Sequence, residues 1–307
     1  MHDDVRAGLR SVAAGLLTPF DEELAVDHDA LAGNAETVYD RGIRTFLACA
    51  NISEYHSLSR EERTAVVETS VGALPGDATV LAGAGGSLPD ATELVEGAAA
   101  AGADAVMVMP PDHTYIHEQG LLEYYRELGE ASDLPLVPYV RGFDPSVEFL
   151  AAMTRLDSVV GVKYAIEDVP KFAEAVAAGA EDVVWVDGMA EPHAPALWAE
   201  GAEGFTAGVS NFEPRIGLAL FDALDAGDWA RAREIRNVCL PYQNFRGETG
   251  EDNTLPAAVS VPAVKEGMAL SGLDAGEGRV RPPIVELSDA ERERARALYA
   301  DIDAFET

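Results

Sequence analysis

Residues 79–110 read TVLAGAGGSLPDATELVEGAAAAGADAVMVMP, a stretch in which one helical pattern lies between two short apolar runs. The runs TVLAGAG, from Thr79, and DAVMVMP, from Asp104, have the length and composition of buried strands. The segment ATELVEGAAAAG between them has helical character and ends on Gly102, a residue type that commonly terminates helices. Because parallel strands need a crossover that is usually a helix, the stretch predicts one β-α-β unit of a parallel sheet.

The same unit repeats along most of the chain. Further strand-like runs are SVAAGLLTP from Ser11, RTFLACA from Arg44, LPLVPYV from Leu134, SVVGVKYA from Ser158, VVWVDG from Val183 and EGFTAG from Glu203. Eight such strands alternating with helices predict an α/β fold, a TIM (β/α)8 barrel, because an open parallel sheet commonly has fewer strands.

The pattern changes near Asp225. The segments DWARAREIRNVCL, PAAVSVPAVKEGMAL and DAERERARALYADI that follow all have helical character. The letters VSV in the second segment make a strand an alternative to a helix there, although such a strand has no obvious partner. We therefore expect residues 1–225 to form the barrel and residues 226–307 to form a C-terminal helical extension.

The charge of the chain limits its partners. Among 307 residues, 54 are acidic and 22 are Lys or Arg, which gives a net charge of -32. This charge would repel nucleic acid and anionic lipid, so neither is expected as a partner. Lysine is rare among the basic residues, and together with the acidity this is typical of proteins from a high-salt cytoplasm. The start of the chain lacks the apolar core of a signal peptide, and no apolar run reaches the ~18 residues of a membrane span, so a cytoplasmic location is expected.

A lysine and a tyrosine close two neighbouring strands of the predicted barrel. Lys163 ends SVVGVK and Tyr139 ends the strand before it, at the strand ends where TIM barrels carry their functional groups. An apolar barrel mouth disfavours the ammonium form of a lysine and frees the amine to attack a carbonyl. A neighbouring tyrosine can relay protons. We interpret Lys163 as the nucleophile toward a small 2-keto acid; the alternatives are a lysine that reaches solvent and a core tyrosine.

The turn after the second strand is a candidate anion site. Residues 50–54, ANISE, offer consecutive backbone N–H groups and the side chains of Asn51 and Ser53, which can hold a substrate carboxylate. Thr18, after the first strand, is a weaker candidate, and an ordinary strand-to-helix turn is the alternative for both. The histidines show no metal-binding spacing, and GAGGS from Gly83 lacks the GxGxxG pattern of dinucleotide sites, so no metal and no cofactor are expected.

These features together resemble the dihydrodipicolinate synthase and N-acetylneuraminate lyase family of class I Schiff-base lyases. The resemblance covers nearly the whole chain and is carried by TPF at Thr18, the SE-containing turn followed by SLS, YxR at Tyr139, GVK at Lys163, SNFEP at Ser210, VPAVKEGM and VRPPI. It implies that Lys163 forms the Schiff base and that Tyr139 relays protons and cradles the keto acid. ANISE replaces the GTTGE turn of the family, so Asn51 and Ile52 stand for its two threonines, and Ser53 or the backbone amides would bind the carboxylate.

Two departures help to choose a branch of the family. The synthase branch usually has an arginine five residues after the tyrosine, where this chain has Asp144, and a second tyrosine from a neighbouring subunit, where this chain has PPDHTYIHEQG. A role in lysine biosynthesis is therefore disfavoured. SExxSLS, PP at Pro110, YxR and NFxP instead resemble the sugar-acid dehydratases, which act on 2-keto-3-deoxy or related acids. That resemblance makes Arg141 and Asn211 candidate substrate-binding residues and implies a homotetramer.

Several alternatives stay open. If a base removes the C4 hydroxyl proton, the C3–C4 bond breaks and the same imine supports an aldolase that releases pyruvate. A dihydrodipicolinate synthase and a metal-dependent barrel lyase are further alternatives. A barrel that binds a keto acid without turnover comes from a different class, because fold alone never guarantees catalysis.

Overall fold

In the computed structural model, which describes residues 2–110, 113–206 and 208–307, parallel strands close into a barrel. The strands are β1 (Val12–Gly15), β2 (Thr45–Ala48), β3 (Thr79–Ala84), β4 (Ala105–Val108), β5 (Leu136–Val140), β6 (Gly161–Tyr164), β7 (Val184–Asp187) and β8 (Gly204–Thr206). Each strand pairs with the next one along the chain, and β8 pairs with β1. Every predicted strand run contains one of these strands, so the predicted TIM barrel is confirmed.

The helices of the described residues alternate with the strands. They are α1 (Asp3–Leu9), α2 (His28–Asp40), α3 (Arg60–Ala73), α4 (Leu88–Ala101), α5 (Glu118–Glu130), α6 (Val147–Met153), α7 (Val169–Ala178), α8 (Ala194–Ala199), α9 (Pro214–Asp225), α10 (Trp229–Arg246), α11 (Ser260–Leu270) and α12 (Asp289–Asp303). One helix from α2 to α9 follows each strand in turn, and α1 precedes β1. The strands are buried almost throughout, so the barrel is a packed core and its strand ends are firmly positioned.

Short polar side chains start several of the crossover helices. Asp27, Ser87 and Ser146 each accept a hydrogen bond from the backbone N–H three residues further on. Ser59 and Glu62 form a reciprocal capping box at the start of α3. These caps satisfy N–H groups that have no partner inside the helix, and they fix the point at which each loop from the barrel mouth ends.

The C-terminal extension is helical, as predicted, and α10, α11 and α12 pack against one another. The VSV letters form no strand, because α11 begins within them at Ser260 and the closed barrel leaves no free edge for pairing. Helix α9 ends at Asp225 and α10 begins at Trp229, while the division into residues 1–225 and 226–307 stays a prediction. Within the described ranges, no helix combines the length and the apolar character needed to cross a membrane.

Candidate active site

Lys163 lies near the carboxyl end of β6, paired in register with Tyr139 of β5 on one side and Val186 of β7 on the other. It is 7% exposed and faces a cavity of about 340 Å³. That volume falls within the range of roughly 300–1,000 Å³ usual for small-molecule sites. The cavity is lined by Gly15, Leu47, Ala50, Asn51, Ile52, Tyr139, Arg141, Lys163, Gly188, Met189, Ala190, Thr206, Gln243, Arg246, Gly247, Ala257, Ser260 and Val261.

The Lys163 amine is sheltered and has no counter-charge in contact with it. Its Nζ lies 3.9 Å from the centroid of the Tyr139 ring. Lys171 and Lys265 each pair with a carboxylate, whereas no carboxylate oxygen of the described residues lies within 4.0 Å of Lys163 Nζ. Burial is the largest influence and lowers the pKa of Lys163, although the Tyr139 phenol opposes the shift. A larger fraction of the amine is therefore neutral, which is the form that attacks a carbonyl.

The Tyr139 phenol lies among positive and polar groups. Tyr139 is 3% exposed, and Arg141 Nη1 donates a hydrogen bond to its hydroxyl at 3.5 Å. Burial alone would raise the pKa of Tyr139, but the charges of Lys163 and Arg141, with hydrogen bonds from Arg141 and Asn51, lower it from its ordinary value. The phenol therefore gives up its proton more readily than a tyrosine in water does, as a proton relay near neutral pH requires.

The predicted carboxylate turn forms a short 3-10 helix over Asn51–Ser53, directly after β2. Asn51 and Ile52 line the cavity, and Asn51 Oδ1 is buried without a hydrogen-bond partner in the described structure. The Ser53 hydroxyl points elsewhere: it donates to the carbonyl of Leu16 and accepts from the N–H of Ala50 at 3.0 Å. Asn51 thus offers a free polar group to a ligand, whereas Ser53 holds the turn together.

Two further predicted residues support the cavity wall from behind. Thr18 Oγ1 donates to the carbonyl of Ser53 at 2.7 Å, and Asn211 Oδ1 accepts from the N–H of Gly15 at 2.8 Å. Both side chains are buried, and neither lines the cavity. The structure therefore brings the predicted residues Asn51, Ile52 and Arg141 together with Lys163 and Tyr139, and it places Thr18, Ser53 and Asn211 behind the wall.

Asp187, at the end of β7, is a buried acid that the sequence analysis passed over. It is fully buried; Oδ1 accepts from the N–H of Met189 at 2.7 Å, and Oδ2 has no partner among the described residues. Burial raises the pKa of Asp187 well above its usual range, although the nearby charge of Lys163 acts against this shift. Asp187 therefore holds a proton more readily than an aspartate in water does. Its place at the end of VVWVDG was a usable signal.

The C-terminal extension also contributes to the cavity. Gln243 and Arg246 come from α10, and Ser260 comes from the start of α11. Gln243 and Arg246 are three residues apart and therefore lie on one face of their helix. No sequence pattern assigned this face to the barrel mouth, because its position depends on how the extension packs.

Comparison with known proteins identifies the family of the chain. Residues 8–301 match the dihydrodipicolinate synthetase family. The chain belongs to this family. A DapA-like lyase from Halobacterium salinarum is 31% identical over 300 residues, which cover 96% of this chain and 94% of that protein. A probable 5-dehydro-4-deoxyglucarate dehydratase from Bacillus subtilis is 29% identical over 285 residues, 90% of each chain. The crystal structure of dihydrodipicolinate synthase from Oceanobacillus iheyensis has a TM-score of 0.93 and 30% identity and covers 99% of this chain and 100% of that one.

These matches confirm the predicted family and show that the chain is a lyase. The Halobacterium relative also agrees with the predicted high-salt origin. Proteins named dehydratase and synthase are similar to this chain at nearly equal identity, 29% and 30%. Membership in the dihydrodipicolinate synthetase family therefore gives the class of reaction, and the substrate has to be inferred from the cavity.

Proposed function

We propose that this member of the dihydrodipicolinate synthetase family is a Schiff-base lyase that dehydrates a 2-keto-3-deoxy sugar acid. The observation that carries the proposal is the buried Lys163 amine, free of any carboxylate in the described structure, beside the Tyr139 phenol in one cavity. A neutral amine and a phenol with a lowered pKa are what imine formation and proton relay require.

The proposed reaction begins when Lys163 Nζ attacks the C2 carbonyl carbon and the carbonyl oxygen leaves as water. The protonated imine withdraws electrons, so the C3 proton is lost to a base and an enamine forms. The enamine electron pair then expels the C4 hydroxyl, which takes up a proton and leaves as a second water. Hydrolysis of the remaining imine consumes one water and restores the amine. Tyr139 or a bound water carries the protons, and the net change is the loss of one water.

In this proposal, the other residues of the site bind different parts of the substrate or hold the binding residues in place. The backbone N–H groups of Asn51 and Ile52 bind the carboxylate next to the keto group, since amides at the turn can converge on an anion. The unused buried oxygen Oδ1 of Asn51 accepts a hydrogen bond from a hydroxyl group of the substrate. Arg141 contacts the far part of the substrate. Thr18, Ser53 and Asn211 act indirectly, by holding the turn and β1 in place.

A salt bridge supports the choice of dehydratase over synthase. Asp144 stands where the synthase branch usually has its arginine, and its carboxylate pairs with Lys171. An acid engaged in this way offers no positive charge to a second substrate. The motifs that resemble the sugar-acid dehydratases, such as SExxSLS and NFxP, also favour the dehydratase.

Product analysis tests the dehydration. Incubation of the enzyme with 2-keto-3-deoxy pentonates and hexonates is expected to give a single product lighter by one water, detected by mass spectrometry. Release of pyruvate and an aldehyde would instead identify an aldolase that uses the same imine. Absence of turnover together with trapping of pyruvate on the enzyme by borohydride would favour a barrel that binds keto acids without catalysis.

Replacement of Tyr139 with phenylalanine is expected to lower kcat by roughly 10²- to 10⁴-fold, the usual contribution of a general acid–base group. The Tyr139 phenol raises the pKa of Lys163 against the effect of burial. Its loss should therefore move the acidic limb of the kcat/KM profile to lower pH. The measurement is kcat/KM against pH for both proteins at fixed KCl. If kcat falls but the acidic limb of the kcat/KM profile stays in place, the phenol does not influence the pKa of Lys163.

We also propose that the enzyme is a homotetramer, which the family resemblance implies. Tyr115 and Ile116, in the segment before α5, are 84% and 40% exposed in the single chain, as apolar contacts of an assembly would be. Light scattering that gave the mass of a monomer would reject this proposal.

A further inference from the structure

A second cavity lies between α8 and the first half of α10, two helices outside the strands of the barrel. Its volume is about 340 Å³, within the range of roughly 300–1,000 Å³ usual for small-molecule sites. We call it the outer cavity; it is lined by Pro192, Pro195, Ala196, Ala199, Trp229, Arg233 and Arg236. None of these residues lines the cavity of Lys163, so the outer cavity is a separate site.

The two arginines of the outer cavity differ from the other arginines of the chain. Arg233 is exposed and Arg236 is partly buried, and within the described residues their guanidinium groups form no hydrogen bond or ion pair. The side chain of every other arginine forms at least one such contact. Acidic partners are abundant, since the chain has 54 acidic residues against 22 lysines and arginines. Two unpaired cations in one cavity therefore suit a ligand that supplies negative charge.

The acids that lie close to the outer cavity along the chain are paired elsewhere. Glu234 of α10 forms an ion pair with Arg231 at 2.7 Å. Glu191 is fully buried, and its carboxylate accepts hydrogen bonds from Ser210 N and Oγ at 3.0 and 2.8 Å and from Gln243. Neither acid lines the outer cavity, so neither neutralises its two arginines.

The rest of the wall is apolar. Two prolines and two alanines come from α8 and the loop before it, and Trp229 is the first residue of α10. Trp229 is 37% exposed, which leaves part of a large apolar ring in water. Trp229, Arg233 and Arg236 are four and three residues apart, so they share one face of α10. The outer cavity therefore presents an indole ring and two guanidinium groups side by side.

We propose that the outer cavity binds a small organic acid that carries an aromatic ring. The acid group, a carboxylate or a phosphate, lies against Arg236 and Arg233, and the ring packs on Trp229 and the proline rings. Guanidinium groups suit this role because their planar N–H donors match the oxygens of either acid. An aromatic ring suits the remaining wall because ring packing on tryptophan adds to the gain from covering apolar surface. No residue of the Lys163 cavity takes part, so the inference does not rest on the proposed reaction.

The fluorescence of Trp229 tests the inference, with benzoate as the probe. A ring that covers the exposed part of the indole removes water from it, so the tryptophan emission is expected to move to shorter wavelength and to saturate with a Kd below about 10 mM. Benzamide has the same shape without the charge, and acetate has the charge without the ring. Each is expected to bind at least about tenfold more weakly than benzoate. Phenyl phosphate, titrated in the same way, shows which acid group the site prefers.

Three variants assign the binding to the outer cavity. Arg236→Gln is expected to raise the Kd of benzoate by about tenfold or more, because the amide keeps polar contacts and loses the charge. Trp229→Phe should remove the change in emission. Arg126→Gln is the matched control, because it also removes one positive charge, but Arg126 pairs with Glu123 on α5 and does not line the outer cavity. All titrations use one KCl concentration, since salt screens the attraction between charges.

Several results would overturn the inference. They are benzamide or acetate that binds as tightly as benzoate, an unchanged Kd in Arg236→Gln, and the absence of a saturable change in emission. Lys163→Met should bind benzoate as the natural protein does, and loss of binding in this variant would place the probe in the barrel mouth instead. Borohydride trapping of pyruvate does not involve the outer cavity. Trapping without benzoate binding therefore rejects the outer site alone, whereas failure of trapping rejects the Schiff-base lyase.

Discussion

Replacement of Lys163 with methionine is expected to abolish borohydride trapping of pyruvate and to lower kcat/KM by ~10⁴-fold or more, as loss of a covalent nucleophile does. Methionine keeps an unbranched apolar stem of similar length in the buried position and removes the amine. The fold should therefore persist, which circular dichroism and the thermal midpoint will show. Trapping is read as the mass added to the intact protein, and kcat/KM is measured with the keto-deoxy acid that the enzyme dehydrates best.

The scarcity of lysine makes this experiment sharp. The chain has three lysines, so peptide mapping of the trapped adduct separates Lys163 from Lys171 and Lys265. Lys171→Met is the matched control, because Lys171 pairs with Asp144 and does not line the cavity. It should trap pyruvate and turn over substrate as the natural protein does. An adduct on Lys171, or turnover that survives in Lys163→Met, would show that the reaction does not pass through the proposed amine.

The barrel and its central pair could be predicted from sequence because both depend on local patterns. Short apolar runs alternate with helical segments, and this periodicity alone requires a parallel sheet with crossovers. Lys163 and Tyr139 lie near the carboxyl ends of consecutive strands, and consecutive strands of a TIM barrel are neighbours, so their pairing followed from their order along the chain.

The remainder of the site depends on directions and distances that a linear pattern does not contain. Ser53 and Thr18 lie in the expected segments, but their hydroxyls satisfy backbone groups instead of facing the cavity. A Ser or Thr hydroxyl can form a hydrogen bond either with a nearby backbone group or with a ligand, and the local geometry of the turn determines which bond forms. Arg246 and Gln243 reach the cavity through the packing of α10, a contact between segments far apart in sequence. Asp187 could have been found, since it ends β7 and Lys163 lies one residue before the end of β6.

A buried ion pair joins the candidate carboxylate turn to the C-terminal extension. Lys265 Nζ of α11 lies 2.6 Å from Glu54 Oε1, and both side chains are 0% exposed. Lys265 also donates to the carbonyl of Arg279 at 2.6 Å, and Glu54 Oε2 accepts from the N–H of Arg281 at 3.0 Å. Glu54 directly follows the turn at residues 51–53, with a left-handed φ of 59°. This pair therefore fixes the turn relative to the extension that brings Arg246 to the same cavity.

Replacement of Glu54 with glutamine is expected to lower the free energy of unfolding by about 3–5 kcal/mol, as removal of one partner from a buried ion pair does. Glutamine keeps the shape and one acceptor oxygen but leaves the Lys265 ammonium without its counter-charge. Burial lowers the pKa of Lys265 and Glu54 opposes that shift, so without Glu54 the amine is driven further toward its neutral form. The measurement is urea unfolding at constant KCl, because guanidinium chloride would change the ionic strength during the titration.

Glu248→Gln is the matched control for Glu54→Gln, because Glu248 pairs with Arg294 through two hydrogen bonds while both side chains stay about half exposed. Its loss should cost less than about 1 kcal/mol. The double variant Glu54→Gln with Lys265→Met should cost clearly less than the two single changes together, since it leaves no buried charge unpaired. Two results would show that the ion pair does not hold the turn to the extension. One is a loss of unfolding free energy in Glu54→Gln as small as that in Glu248→Gln. The other is a double variant whose loss equals the sum of the two single losses. The cavity would then depend on the barrel strands for its shape.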